Sequence, residues 1–228
     1  MMKPLSFLAV GALGLGVTVP TAWAQYYLPA GAGPYCRFDL GPSVFEDGRL
    51  TRFGGPANNE VEYEVGFAAS AAFGYAFNHY IAADLEFGGI GTEIKSVDGF
   101  GFSDTFLSNL PFLANVTFSF PIPRTIVVPY IGGGAGGSMT VFSTDGFGNG
   151  SVAVFGDDTD VVFAWQAYAG LWFNLNKHAS IGVGYKYFAT EDSSFSYPPD
   201  FPGSAPNLSV GFEGVRAHTA VISFHMKF

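Results

Sequence analysis

The chain ends on Ile222-Ser223-Phe224-His225-Met226-Lys227-Phe228, a run in which apolar and polar side chains alternate up to the last residue. Successive side chains of a strand point to opposite faces. Ile222, Phe224, Met226 and Phe228 therefore share one wholly apolar face, and Ser223, His225 and Lys227 the other. Chain termini ordinarily fray. A last strand this regular fits one that seals a barrel and turns its apolar face to lipid.

Residues 1–24 read as an export signal, with Lys3 as the charged start, Leu5 to Val19 as the apolar run and Ala22-Trp23-Ala24 as the cleavage site before Gln25. The run is too short and too Gly-rich to prefer spanning a bilayer. Cys36 does not follow the cleavage site, so no lipoprotein attachment is expected. The expected organisation is a signal peptide over 1–24 and one domain over 25–228.

Within that domain no stretch offers about 18 consecutive apolar residues, so no transmembrane helix is expected. A single cysteine cannot build a disulfide framework. The net charge of −9 argues against a nucleic-acid partner. With 31 Gly and 25 Phe and an export signal, the composition favours a barrel that crosses the membrane with strands.

Eight stretches show a period of two: about 34–45, 61–76, 80–92, 105–120, 126–142, 160–174, 179–190 and 213–228. Their connections alternate in length. Those at 77–79, 121–125 and 175–178 are short, with Asn or Pro turn chemistry. Those at 46–60, 93–104, 143–159 and 191–212 are longer and polar or Gly-rich, and are expected to be loops. Short periplasmic turns and long outer loops are a property of outer-membrane barrels. The expected fold is all-β: an eight-stranded antiparallel up-and-down transmembrane β-barrel. Facing follows from parity, with Leu110, Phe112, Val116 and Phe118 toward lipid and Asn109, Asn115 and Thr117 inward. Gln166 and Tyr168 also fall inward. The stretch 126–142 is too Gly-rich to assign.

The export signal, the eight strands, Pro129-Tyr130-Ile131-Gly132-Gly133-Gly134-Ala135-Gly136 and the terminal Phe228 resemble the small outer-membrane β-barrel superfamily. This is the group of the outer-membrane protein A barrel, outer-membrane protein X and the opacity-type surface proteins. The resemblance implies a Gram-negative outer membrane, with membrane lipid and lipopolysaccharide as surroundings. It implies that Phe224, Met226 and Phe228 form the signal read by the barrel-assembly machinery. It also implies an ionic plug in the lumen. No periplasmic peptidoglycan-binding domain is expected, because the sequence stops at Phe228.

Arg37, Asp39, Asp84, Glu86 and Lys186 all fall on lumen parity. An eight-stranded barrel has an interior just wide enough for side chains, so charges there must pair. They are read as closing the barrel, with a gated narrow ion path as the functional alternative. Arg216 and His218 fall on lipid parity near the outer interface and are candidates for lipopolysaccharide contact. Asp157-Asp158-Thr159-Asp160 could offer oxygens to calcium, but lacks the spacing of a calcium loop and is read as a solvated loop. The Gly132–Gly137 run matches G-x-G-x-x-G, yet a strand follows it where a nucleotide site needs a helix. The histidines lack metal-ligand spacing, and His79 and His178 are placed in solvated turns.

Some eight-stranded barrels modify lipid A. The deacylase type carries His and Ser two residues apart on the outer face, but His218 is followed at that spacing by Ala220. His178 and Ser180 have the spacing, at a turn, with Ser180 pointing inward. The palmitoyltransferase type needs a helix before the barrel, and 25–33 is too short and contains Pro29. The sequence therefore reads as a non-enzymatic surface protein, structural or adhesin-like, without cofactor or metal. Four loops would be open to a host or extracellular ligand. A narrow-pore porin for ions or small solutes is the alternative.

Overall fold

Every regular element in the computed structural model, described for residues 31–98, 100–148, 153–197 and 208–228, is a β-strand. Residues 1–24, read as the signal peptide, lie outside the described residues. In chain order the strands are β1 (Gly33–Phe45), β2 (Gly48–Phe53), β3 (Pro56–Tyr63), β4 (Gly66–Ala76), β5 (Ile81–Val97), β6 (Gly101–Ser103) and β7 (Phe106–Ser119). Then come β8 (Val127–Gly148), β9 (Ala153–Asn174), β10 (Ala179–Thr190), β11 (Ser193–Tyr197), β12 (Leu208–Phe212) and β13 (Arg216–Lys227).

Eight of them close into a ring of antiparallel ladders: β1, β4, β5, β7, β8, β9, β10 and β13. The closure falls on β1, where Arg37 lies opposite Ala72 of β4 and His225 of β13. A closed ring leaves no unpaired edge, which a strand-built membrane protein requires. At one end, tight turns join the strands, and Asn chemistry sets two of them. Asn78 Oδ1 accepts the backbone N–H groups of Tyr80 and Ile81, and Asn176 Oδ1 those of His178 and Ala179. Both described ends of the chain lie at this turn end, where Phe228 N–H donates to Pro34 O.

Alternation of the side chains is regular around the ring. Leu85, Phe87, Phe112, Val116, Phe163, Trp165, Ile181 and Val183 are exposed on the outside. On β8, Tyr130, Ser138 and Thr140 are buried inward, whereas Ile131 and Met139 face out. That strand owes its glycines to the lumen: a Cβ on Gly132 would overlap the Tyr168 ring, and one on Gly134 the Asn115 side chain. These glycines make room for large neighbours.

The expected loops 46–60, 93–104, 143–159 and 191–212 are the main correction. They hold β2, most of β3, β6, β11 and β12, together with the extended ends of β5, β8 and β9. The stretch 61–76, expected as one strand, divides between β3 and β4. The short apolar alternations at Leu50, Val61, Phe195, Val210 and Phe212 lie among Gly, Pro, Asn and Ser, which read locally as turn signals.

These segments build a second ring above the first. β5, β8 and β9 run on, β6 follows β7 against β8, and β3, β2, β12 and β11 take the places of β4, β1, β13 and β10. Of its eight junctions among the described residues, six are backbone ladders and a seventh, between β5 and β6, is the single bridge Val97–Phe100. The eighth, between β9 and β11, is made by carboxylates. Asp158 and Asp160 accept the N–H groups of Thr159 and Val161 on their own strand through Oδ1. Through Oδ2 they accept those of Ser196 and Ser194 on β11. The acidic cluster read as a solvated loop is thus a seam joining two strands.

Inside this upper ring, and the adjoining part of the lower one, lies an apolar core that includes Leu50, Ile94, Leu107, Phe142, Phe147, Phe195 and Phe212. Phe142 packs at ring-centroid distances of 5.0 Å from Phe212, 5.6 Å from Phe147 and 5.7 Å from Phe195. Each such burial contributes about 1.5–3 kcal/mol, so the cap is held as a domain core is.

Candidate functional site

Below the apolar cap, the lumen is filled in two layers. Nearest the turn end, Tyr130 stacks on Trp172 at 4.7 Å, Trp172 meets His225 at 5.2 Å, and His225 meets Tyr35 at 4.7 Å. The stack spans β8, β9, β13 and β1. Gly182 gives it space, since a Cβ there would press into the Trp172 ring.

Deeper in, the five charged residues singled out by parity come together. Arg37 lies 3.2 Å from Asp39, 3.4 Å from Asp84 and 2.9 Å from Glu86. Lys186 reaches Asp39 at 3.1 Å and Glu86 at 2.5 Å, and does not pair with Asp84. All five side chains are at most 10% exposed. Neutral donors complete the set: Tyr35 Oη donates to Asp84 at 2.6 Å, Asn115 to both Asp84 and Glu86, and Gln166 to Glu86. The Arg37 guanidinium lies 5.3 Å from the Tyr168 ring centroid, and Tyr168 Oη bonds Thr117 Oγ1.

Each buried charge thus has a charged partner, as burial demands, while one carboxylate oxygen, Asp39 Oδ1, is left without a hydrogen bond. These pairs join β1, β5 and β10 across the lumen. Tyr35, Asn115, Gln166 and Tyr168 belong to the network although sequence reasoning did not single them out as site residues. Their signal was inward parity, and for Tyr35, Tyr168 and Asn115 also the inward glycines Gly74, Gly132 and Gly134, which leave the space those side chains fill.

Near the loop end, Arg216 and His218 face outward as parity placed them, and both lie against Glu46. His218 Nε2 is 2.8 Å and Arg216 3.7 Å from its carboxylate. Arg216 also lies 3.5 Å from Glu213, and Tyr185 Oη bonds His218 Nδ1. Glu46 was legible too, two residues beyond outward-facing Val44. At the terminal strand, Phe224 and Phe228 are exposed on the outer face and Met226 is half-buried.

Other candidates resolve differently. Ser180 Oγ donates to Asn174 Oδ1 inside the barrel, while the His178 ring lies by Lys227 O outside, so the two do not act together. His79, expected in water, is half-buried. Among the described residues no three His, Cys, Asp or Glu side chains gather as a metal site.

A closed eight-stranded ring with an apolar outer belt and a polar filled lumen defines a small membrane β-barrel. The family model "Outer membrane protein beta-barrel domain" matches residues 5–228, and the chain belongs to that family. Neisserial surface protein A is similar in fold, with a TM-score of 0.54 and 14% identity over 87% of this chain and 99% of that one. The outer membrane protein OprG of Pseudomonas aeruginosa gives 0.55 and 14% over 88% and 99%. The outer membrane protein AlkL, solved by solid-state NMR in DMPC bilayers, gives 0.53 and 14% over 91% and 96%. No curated protein sequence matches the chain significantly.

Proposed function

We propose that this chain is a closed surface barrel: a non-enzymatic protein of the Gram-negative outer membrane that carries an ordered, strand-built cap outward. One observation carries the reading. Along its axis the lumen is filled in turn by an aromatic stack, a paired ionic network and a packed apolar core. Such an interior serves stability and display, not free passage.

On this reading residues 1–24 direct export and are removed. The terminal strand, with Phe224, Met226 and Phe228, engages the assembly machinery. The turn end faces the periplasm, as short turns do in this class. Arg216 and His218 sit at the outer interface, where their compact cluster with Glu46 meets lipopolysaccharide headgroups. The exposed face of the cap is then the surface offered to a host or extracellular ligand. The alternative, a narrow ion pore, is favoured by one feature: the ionic constriction joins several strands and could rearrange its pairs.

Orientation is tested on intact cells with single cysteines. Asn58→Cys, exposed on β3, should react with a membrane-impermeant maleimide, and Lys177→Cys at a turn should not. Buried Cys36 provides an unreactive background. Labelling at 177 alone would invert the orientation and remove the surface role.

A further inference from the structure

The lumen network carries an unbalanced charge. Arg37 and Lys186 face three carboxylates, those of Asp39, Asp84 and Glu86, and these five are the buried charged side chains among the described residues. One net negative charge is thus held in the barrel interior, where an uncompensated ion is costly. The imbalance also has a location. Both oxygens of Asp84 and of Glu86 have donors, as does Asp39 Oδ2. Asp39 Oδ1 is buried without a partner, on a residue only 6% exposed.

Asp39 borders a cavity of about 30 Å³ whose other oxygen-bearing walls are Ser70, Glu86, Gln166 and Thr219. That is room for one water-sized occupant. From the charge count, the orphan oxygen and the cavity we infer that the network binds one small monovalent metal cation at Asp39 Oδ1. A proton is the competing occupant, and the experiment below separates the two. A dehydrated alkali ion would meet hydroxyl, amide and carboxylate oxygens together. A divalent ion calls for more carboxylate oxygens than the single free one here.

The other titratable or charged groups around Asp39 are Tyr35 and Arg37 on its own strand, Asp84 and Glu86 on β5, Tyr130 on β8, Tyr168 on β9, Lys186 on β10, and His225 and Lys227 on β13. Of the cations, Arg37 and Lys186 are already counted, His225 is stacked between Tyr35 and Trp172, and Lys227 lines a different cavity, which Asp39 does not border.

The test is thermodynamic and does not depend on whether the lumen conducts. The mature protein, folded in phosphatidylcholine vesicles, is unfolded with urea while NaCl replaces choline chloride at constant ionic strength. Choline is too large for the cavity. A cation bound only by the folded state raises the folding constant up to tenfold per tenfold rise in sodium. Wild type should show that slope and Asp39→Asn should lose it, since the amide brings the network to neutrality. Lys186→Met, which leaves a second unbalanced charge, should steepen it. Equal slopes in wild type and Asp39→Asn would overturn the site. So would a wild type that ignores sodium and follows only pH, because the missing charge would then be a proton.

Discussion

Lys186 Nζ donates to Glu86 Oε1 at 2.5 Å, joining β10 to β5 through the lumen across 100 residues of sequence. Removing one side of a buried pair leaves the other charge uncompensated, at about 3–5 kcal/mol. Lys186→Ala should fall at the lower end of that range, because Arg37 also holds Glu86. The double change Lys186→Ala with Glu86→Ala should recover part of the loss. Urea unfolding of these two variants and of Glu86→Ala checks this, and additive losses would mean the two residues are uncoupled.

The carboxylate seam gives a second expectation. Asp158→Asn with Asp160→Asn puts an amide N–H₂ where two strand edges present only donors. Each bond lost should cost about 1.5 kcal/mol, the low end for charged acceptors, since both residues are half-exposed. Amide exchange at Ser194 and Ser196 should accelerate while β10 and β13 stay protected. Unchanged exchange at those two amides would show that the seam does not hold the cap.

Phe142 anchors the cap core, touching Phe147, Phe195 and Phe212. Phe142→Ala should destabilise by about 3–5 kcal/mol, as large-to-small core changes do. Protease should then cut within β11, β12 or their connection before the lower ring opens. Resistance equal to wild type would mean the cap is not a packed core.

Deleting Phe228, or replacing Phe224 with Asp, should block insertion, because β13 seals β1 to β10 and presents its apolar side to lipid. The check is the amount of heat-modifiable, folded protein in outer-membrane fractions. Wild-type amounts would contradict the assembly role.

Parity in the sequence was enough to place Arg37, Asp39, Asp84, Glu86 and Lys186 on one face, because alternation is strict wherever one side meets lipid. It could not place β8, whose glycines carry no side chain to alternate and whose meaning depends on Tyr168 and Asn115 across the lumen. The upper ring escaped for a related reason. β2, β11 and β12 are five or six residues long and acquire an inward face only by pairing with distant segments. Asp158 and Asp160 read as solvated acids because their partners, the Ser194 and Ser196 amides, lie more than 30 residues away.

Planar-bilayer conductance of the purified barrel measures directly whether the lumen is closed. A closed lumen leaves the membrane silent at high protein load under applied voltage, with leakage appearing once Lys186→Ala opens the network. Sustained single-channel steps from the wild-type protein would contradict it and establish the narrow pore instead.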